Sequence, residues 1–228
     1  MNADDEFEQF AQQYRADNGI KSMTAKRTTW NGCTFRSRAE ARWAVFFEMC
    51  DIEWEYEPEG VVFDDNTSYL PDFLIHGIVG RGGGDLYVEV KGVMDDVDRQ
   101  KIDQFSRYHP IYVVDSTFTT KNDKPWYDHM EEMQTVGLGD YYTFKFIDGD
   151  QWGAYLGINN NGQLQLFDRW TYYDSAGELT AMAYRVAAFA KFEYGDSPES
   201  NPNFATIRQF IRKKKAELAM LNFEFRTA

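Results

Sequence analysis

Tyr87-Val88-Glu89-Val90-Lys91 is the stretch on which the fold turns. Side chains alternate across an extended strand, so Glu89 and Lys91 share one face while Val88 and Val90 point to the other. Charges on one face of a strand otherwise fit for burial need a reason. Upstream, Leu70-Pro71-Asp72-Phe73 opens another apolar run, and the intervening HGIVGRGGGD, residues 76–85, has enough glycine to turn the chain back. That return brings Asp72 beside Glu89. Two adjacent carboxylates repel unless a cation separates them, and hard divalent ions prefer oxygen ligands. A metal site follows from Asp72 and Glu89, with Lys91 placed to polarise a water or a phosphate.

The pattern continues on either side. Residues 28–35 (TTWNGCTF) hold an Asn-Gly pair between β-favouring residues, a strong hairpin signal. Ser37 then caps a helix over residues 37–50, with Trp43, Ala44, Phe46 and Phe47 on its apolar face. Glu40 falls at the third helical position of a capping box, so it has two readings: a structural cap, or a carboxylate adding a ligand or orienting a metal-bound water. Residues 54–56, 61–63, 69–75 and 86–91 read as successive strands of a mostly antiparallel sheet. Residues 95–107 read as a helix, and Ile111-Tyr112-Val113-Val114 as a buried strand reached by a helical crossover. Short helical spacing at Phe7, Phe10, Ala11 and Tyr14 precedes all of this.

Beyond a linker near residues 121–124, strand-like runs at 141–147, 152–158 and 164–167 form an accessory β unit, its last hairpin turned by Asn159-Asn160-Asn161-Gly162. Helices are expected at about 178–194 and 204–221. The expected organisation is an N-terminal helix and basic linker (1–27), a core (28–120), an accessory aromatic-rich β unit (121–175) and C-terminal helices (176–228). The class is α/β, or more closely α+β, with a mixed central sheet flanked by helices.

Composition sets limits on function. With 43% hydrophobic residues, 18 Phe and 14 Tyr, the chain has ample material for a core. No apolar run approaches a membrane span, and the first 30 residues lack the apolar centre of a secretion signal, so a cytoplasmic protein with no membrane partner is expected. Cys33 and Cys50 are too few for a disulfide framework or a four-cysteine metal site. His76, His109 and His129 have no metal-ligand spacing. Gly82-Gly83-Gly84 is followed by no Gly-Lys-Ser/Thr, so no nucleotide cofactor is expected. A net charge of −13 argues against a general nucleic-acid coating protein, since non-specific affinity comes from Lys and Arg replacing condensed counterions. A local basic track is compatible with it, and Lys21, Lys26, Arg27, Arg36, Arg38 and Arg42 cluster early, Arg208, Arg212, Lys213, Lys214 and Lys215 late.

Taken together, Arg38-Ala39-Glu40-Ala41-Arg42-Trp43-Ala44, Trp54-Glu55-Tyr56-Glu57-Pro58-Glu59, Tyr69-Leu70-Pro71-Asp72-Phe73 and Glu89-Val90-Lys91-Gly92 resemble phage-encoded nucleases of the PD-(D/E)XK superfamily over about residues 34–115. The resemblance implies a restriction-endonuclease-like core that cuts DNA with Mg2+, for which Mn2+ substitutes. Asp72 matches the PD aspartate, Glu89 and Lys91 the E-x-K, and Glu40 the helix glutamate. It further implies metal ligation by Asp72, Glu89, the Val90 backbone carbonyl and, through water, Glu40. DNA is the implied partner, contacted by Arg36, Arg38 and Arg42, and a homodimer is implied if the substrate is a DNA junction. Gln104 and Tyr108 are similar to the Q-x-x-x-Y pattern of RecB-type nucleases, although Tyr108 also suits a core position. A second hypothesis stands beside catalysis: a nuclease-fold protein without activity, which inhibits or recruits a host factor through its acidic surface.

Overall fold

The computed structural model describes residues 27–80, 83–91, 95–115, 143–145, 151–153, 155–167, 177–193 and 195–227. The N-terminal helix expected at residues 4–17 and the linker at 121–124 lie outside them. Strands β1 (Thr28–Trp30) and β2 (Cys33–Phe35) pair as an antiparallel hairpin. Asn31 and Gly32 turn it with φ of 49° and 76°. Two successive positive φ values are what a two-residue turn needs to match strand twist. Helix α1 (Arg38–Met49) begins where the Ser37 side chain accepts a hydrogen bond from the Glu40 backbone N–H. Its Phe46 and Phe47 are almost fully buried. Burial of each such ring is worth about 2–3 kcal/mol, and Phe47→Ala would cost about 3–5 kcal/mol.

Next come β3 (Trp54–Tyr56), β4 (Val61–Val62), β5 (Ser68–Tyr69), β6 (Phe73–Ile78) and β7 (Gly84–Lys91). Helix α2 (Asp96–Ser106) and β8 (Ile111–Asp115) follow. β3, β6 and β7 are antiparallel neighbours, whereas β8 lies parallel to β7 after the α2 crossover. Two expectations need correction here. The strand expected over residues 69–75 is interrupted, because Pro71 has no N–H to give to a ladder, and the chain crosses between β5 and β6 at Leu70-Pro71-Asp72. β4 is not in the main sheet; it pairs with β5 in a separate ribbon.

The sheet continues outward from β8 through β9 (Thr143–Lys145) to β10 (Gln151–Gly153), giving six strands in the order β10-β9-β8-β7-β6-β3. One strand pair from the aromatic-rich stretch thus extends the main sheet. The other pair, β11 (Tyr155–Ile158) and β12 (Leu164–Phe167), forms its own ribbon, joined just past the end of β6 by a bridge between Val79 and Gln165. Buried Asn159 shapes its turn by accepting from the Asn161 and Gln163 backbones, each at 2.9 Å.

Alternation along the inner strands assigns the layers. Val88, Tyr112 and Val114 join the larger core under α1, while Ile111 and Val113 join a smaller core with Ile102 and Phe105 of α2. Helices α3 (Gly177–Ala188) and α4 (Phe204–Thr227) complete the first layer. α3 stops short of the expected residue 194, closing with a tight turn in which the Ala190 N–H donates to the Ala187 carbonyl at 3.1 Å. α4 grips the far end of α1: Arg208 pairs with Glu48, Arg212 with Asp51 and Lys215 with the Cys50 carbonyl. The molecule is a mixed α/β protein with a mixed sheet and four α-helices among the described residues.

Candidate active site in an acidic cleft

Glu89 and Lys91 leave β7 on the α2 side, and Asp72 stands at the entry to β6 just after the Pro71 crossing. Together with Glu40 they line one open cleft of about 440 Å³, shared with Arg36, Ser68, Tyr69, Leu70, Val90, Asp98 and Lys101. All four residues expected to act together therefore meet in space. The three carboxylates are buried: Glu40, Asp72 and Glu89 are 6%, 3% and 4% exposed.

Each is held by named donors. Asp72 Oδ2 accepts from the Val90 backbone N–H at 2.7 Å, and Asp72 Oδ1 accepts from Arg36 Nη2. Glu89 Oε2 accepts from the Tyr69 hydroxyl at 2.8 Å, and Glu89 Oε1 faces Lys91 Nζ at 3.0 Å. Lys91 also donates to Asp98 Oδ1 at 2.9 Å. Glu40 Oε2 takes the Tyr56 hydroxyl at 2.6 Å and the Arg36 N–H at 3.0 Å, while Oε1 takes the Ser37 hydroxyl at 2.7 Å. The capping box expected at Glu40 is thus half formed. Its side chain returns to the Arg36 N–H and the Ser37 hydroxyl, so one residue both caps α1 and walls the cleft.

The charges are strongly interdependent. Burial, then the charges of Glu89 and Glu40, push the Asp72 carboxyl well above the usual carboxylate range, against the pull of the Val90 N–H and Arg36. Burial alone would lower Lys91, but Glu89 and Asp98 outweigh it and raise its pKa. Lys91 is therefore a permanent cation at neutral pH and not a proton acceptor. Burial, with Glu40 for Tyr56 and Glu89 for Tyr69, raises both phenols, which stay neutral donors.

Hard oxygen donors suit a divalent ion, and Asp72 and Glu89 offer them in a cleft where carboxylate repulsion is already strong. Asp72 Oδ1 and Glu89 Oε1 are the oxygens now facing cations. Both Glu40 oxygens are occupied by protein donors, which favours contact with an ion through water. Among the described residues, no group of three His, Cys, Asp or Glu side chains is gathered into a ready ligand cluster.

The expected DNA contacts are dispersed. Arg36 is in the cleft, but Arg38 pairs with Glu193 at 2.8 Å. Arg42 is half-buried, its buried Nε lacking a hydrogen-bond partner. Gln104 donates to Asp65 Oδ2 at 3.0 Å, and Tyr108 is 62% exposed, so it is not a core residue. Neither lines the cleft. Sequence reasoning missed Tyr56, Tyr69, Asp98 and Lys101, and expected Arg36 as a DNA contact without its pairing to Asp72. The available signals were positional: Tyr69 lies three residues before Asp72, and Asp98 sits in the first turn of the helix after Lys91.

No protein-family model matches the chain, and neither curated proteins nor solved structures give a match. Among the described residues no helix is long and apolar enough to cross a membrane.

Proposed function

We propose that this chain is a Mg2+-dependent deoxyribonuclease of the PD-(D/E)XK type, acting in a bacterial cytoplasm during phage growth. One observation carries the proposal: buried Asp72 and Glu89 share a cleft with Lys91, whose ammonium sits 3.0 Å from Glu89 Oε1 and 2.9 Å from Asp98 Oδ1. The antiparallel β3-β6-β7 run with α1 on one face, and β8 parallel to β7 beyond α2, support a restriction-endonuclease-like core. Asp72, Glu89 and the Val90 carbonyl would hold the ion, with Glu40 acting through water. A bound divalent ion supplies an activated water and neutralises charge on the phosphoryl oxygens. Lys91, steadied by Asp98, offers its ammonium to the attacking water or the scissile phosphate. Tyr69 fixes the Glu89 carboxylate, while Glu40 and Tyr56 fix the β2–α1 corner from which Arg36 reaches the cleft.

The test is a panel of linear, nicked, single-stranded, flap and four-way-junction DNA, each with and without Mg2+. Metal-dependent cleavage of at least one is expected, and cleavage of none refutes the proposal. Preference for junctions would bring a two-fold dimer with it, because two strands must be cut across one axis.

The second hypothesis, a non-catalytic binding protein, draws on the net charge of −13 and on the internal pairing of Arg208, Arg212 and Lys215. Calorimetry with Mg2+ or Mn2+ separates the two. Metal binding that Asp72→Ala abolishes belongs to the nuclease, and no binding at all to the alternative.

A further inference from the structure

Arg36 is anchored at its backbone and divided at its side chain. Its N–H donates to Glu40 Oε2 at 3.0 Å and to the Tyr56 hydroxyl at 2.9 Å, fixing the main chain between β2 and α1. Its guanidinium, half exposed, spans two carboxylates: Nη2 reaches Asp72 Oδ1, and Nε reaches Glu57 Oε1 at 3.0 Å. The Val90 N–H already takes Asp72 Oδ2, so Oδ1 is the oxygen on which Arg36 and an incoming cation compete. Glu57 is an unusual anchor. It holds φ at 48°, a conformation uncommon for a residue other than glycine, and its N–H donates to the Asp72 carbonyl at 2.8 Å. Backbone strain of this kind persists where the surroundings over-determine it. Here it stations a second carboxylate beside Asp72, facing the same guanidinium.

We propose that Arg36 is an exchangeable counter-ion: it occupies the metal's oxygen on Asp72 before loading and, once displaced, pivots about Glu57 to bind a DNA phosphate at the cleft. The proposal rests on the nuclease function advanced above. Arginine suits both positions, because its planar fork matches carboxylate and phosphate alike. Exchange links the two ligands, since a phosphate that draws the guanidinium away frees Asp72 for the ion, and linkage makes the effect reciprocal.

Calorimetric Mn2+ titration without DNA, on the wild type, Arg36→Gln, Arg36→Lys and Glu57→Gln, tests the first half. Arg36→Gln removes the competitor and should bind Mn2+ about tenfold more tightly, whereas Arg36→Lys should stay near wild type. Glu57→Gln leaves Asp72 as the sole carboxylate partner of Arg36 and should weaken Mn2+ binding a few-fold, an opposite sign that needs no loss of the arginine. The second half is read from affinity for a 20-base-pair duplex in Mn2+, with every variant also carrying Lys91→Ala to keep the duplex whole. There, Arg36→Gln should bind about tenfold more weakly and Arg36→Lys should recover part of the loss. Mn2+ affinity unchanged or reduced in Arg36→Gln overturns the exchange while leaving the nuclease proposal standing. Tighter Mn2+ with unchanged duplex affinity overturns the phosphate role. Absence of Mn2+ binding in every protein, Arg36→Gln included, removes the metal site itself and both proposals with it.

Discussion

Tyr69→Phe deletes one oxygen and leaves the ring, which isolates the value of a single hydrogen bond at the cleft. The hydroxyl donates to Glu89 Oε2 at 2.8 Å with both residues more than nine-tenths buried. The ring packs edge-on against Phe105 with centroids 5.1 Å apart, a contact the substitution retains. A hydrogen bond to a buried charge contributes about 1.5–3 kcal/mol, and Lys91 is the other partner of Glu89 among the described residues, so about 2 kcal/mol should be lost. For a chain of this size each kcal/mol moves Tm by about 2–4 °C, giving a fall of about 4–8 °C at pH 7 without metal. Adding Mn2+ should narrow the deficit, because the ion neutralises the carboxylate that lost its donor. Differential scanning calorimetry on both proteins, with and without millimolar Mn2+, makes the measurement. A Tm within about 1 °C of wild type would show that Glu89 does not depend on this hydroxyl, and a deficit that Mn2+ leaves unchanged would show that the ion does not engage Glu89.

If the chain is the proposed nuclease, Lys91→Ala should lower single-turnover cleavage by about 10² to 10³ while retaining Mn2+ affinity, whereas Glu89→Ala should lose both, because of the two only Glu89 would supply a ligand oxygen. Cleavage by Lys91→Ala within a few-fold of wild type refutes the assignment. Ser37→Ala removes the N-cap of α1 and the donor to Glu40 Oε1, so it should destabilise by about 1 kcal/mol in chemical denaturation. His76 bridges Asp85 at 2.8 Å and Glu55 at 3.1 Å, and the Asp85 hydrogen bond, then that of Glu55, raises its pKa above the ordinary value. A raised histidine stabilises fully below its unfolded pKa of about 6.5 and ceases to as pH climbs through the folded one. Wild type should therefore melt above His76→Gln at pH 5.5, and the gap should shrink by pH 8.5; a gap that grows with pH refutes the pairing.

The local code was strong where one short segment holds its own answer. Asn31-Gly32 specified its hairpin, Ser37 its helix start and Ile111-Tyr112-Val113-Val114 a buried strand, since turn chemistry, capping and apolar runs act over a few residues. Asp72, Glu89 and Lys91 were legible for the same reason, as alternation and one glycine-rich return bring them together. What escaped was set by distant chain. Tyr56 and Tyr69 look like ordinary strand aromatics until the fold carries their hydroxyls to Glu40 and Glu89. The separation of β4 and β5 from the sheet turned on Pro71, whose effect depends on which neighbour a strand finds. Strands β9 and β10 join a sheet begun far upstream, a pairing that local pattern does not encode.

Helix α1 is clamped at both ends by different machinery. Its first turn carries Glu40 into the cleft, while its last turn and the residues just beyond it are gripped by α4 through Glu48, Asp51 and the Cys50 carbonyl. On its other side α4 lies so close to the β11–β12 turn that a Cβ at Gly162 would collide with the Lys215 carbonyl. A rod of twelve residues, about 18 Å long, therefore joins the ribbon and the C-terminal helix to the wall of the cleft. A displacement of α4 would thus reach Glu40 through a helix whose Phe46 and Phe47 are held in the core, which would make the back of the molecule a handle on its front.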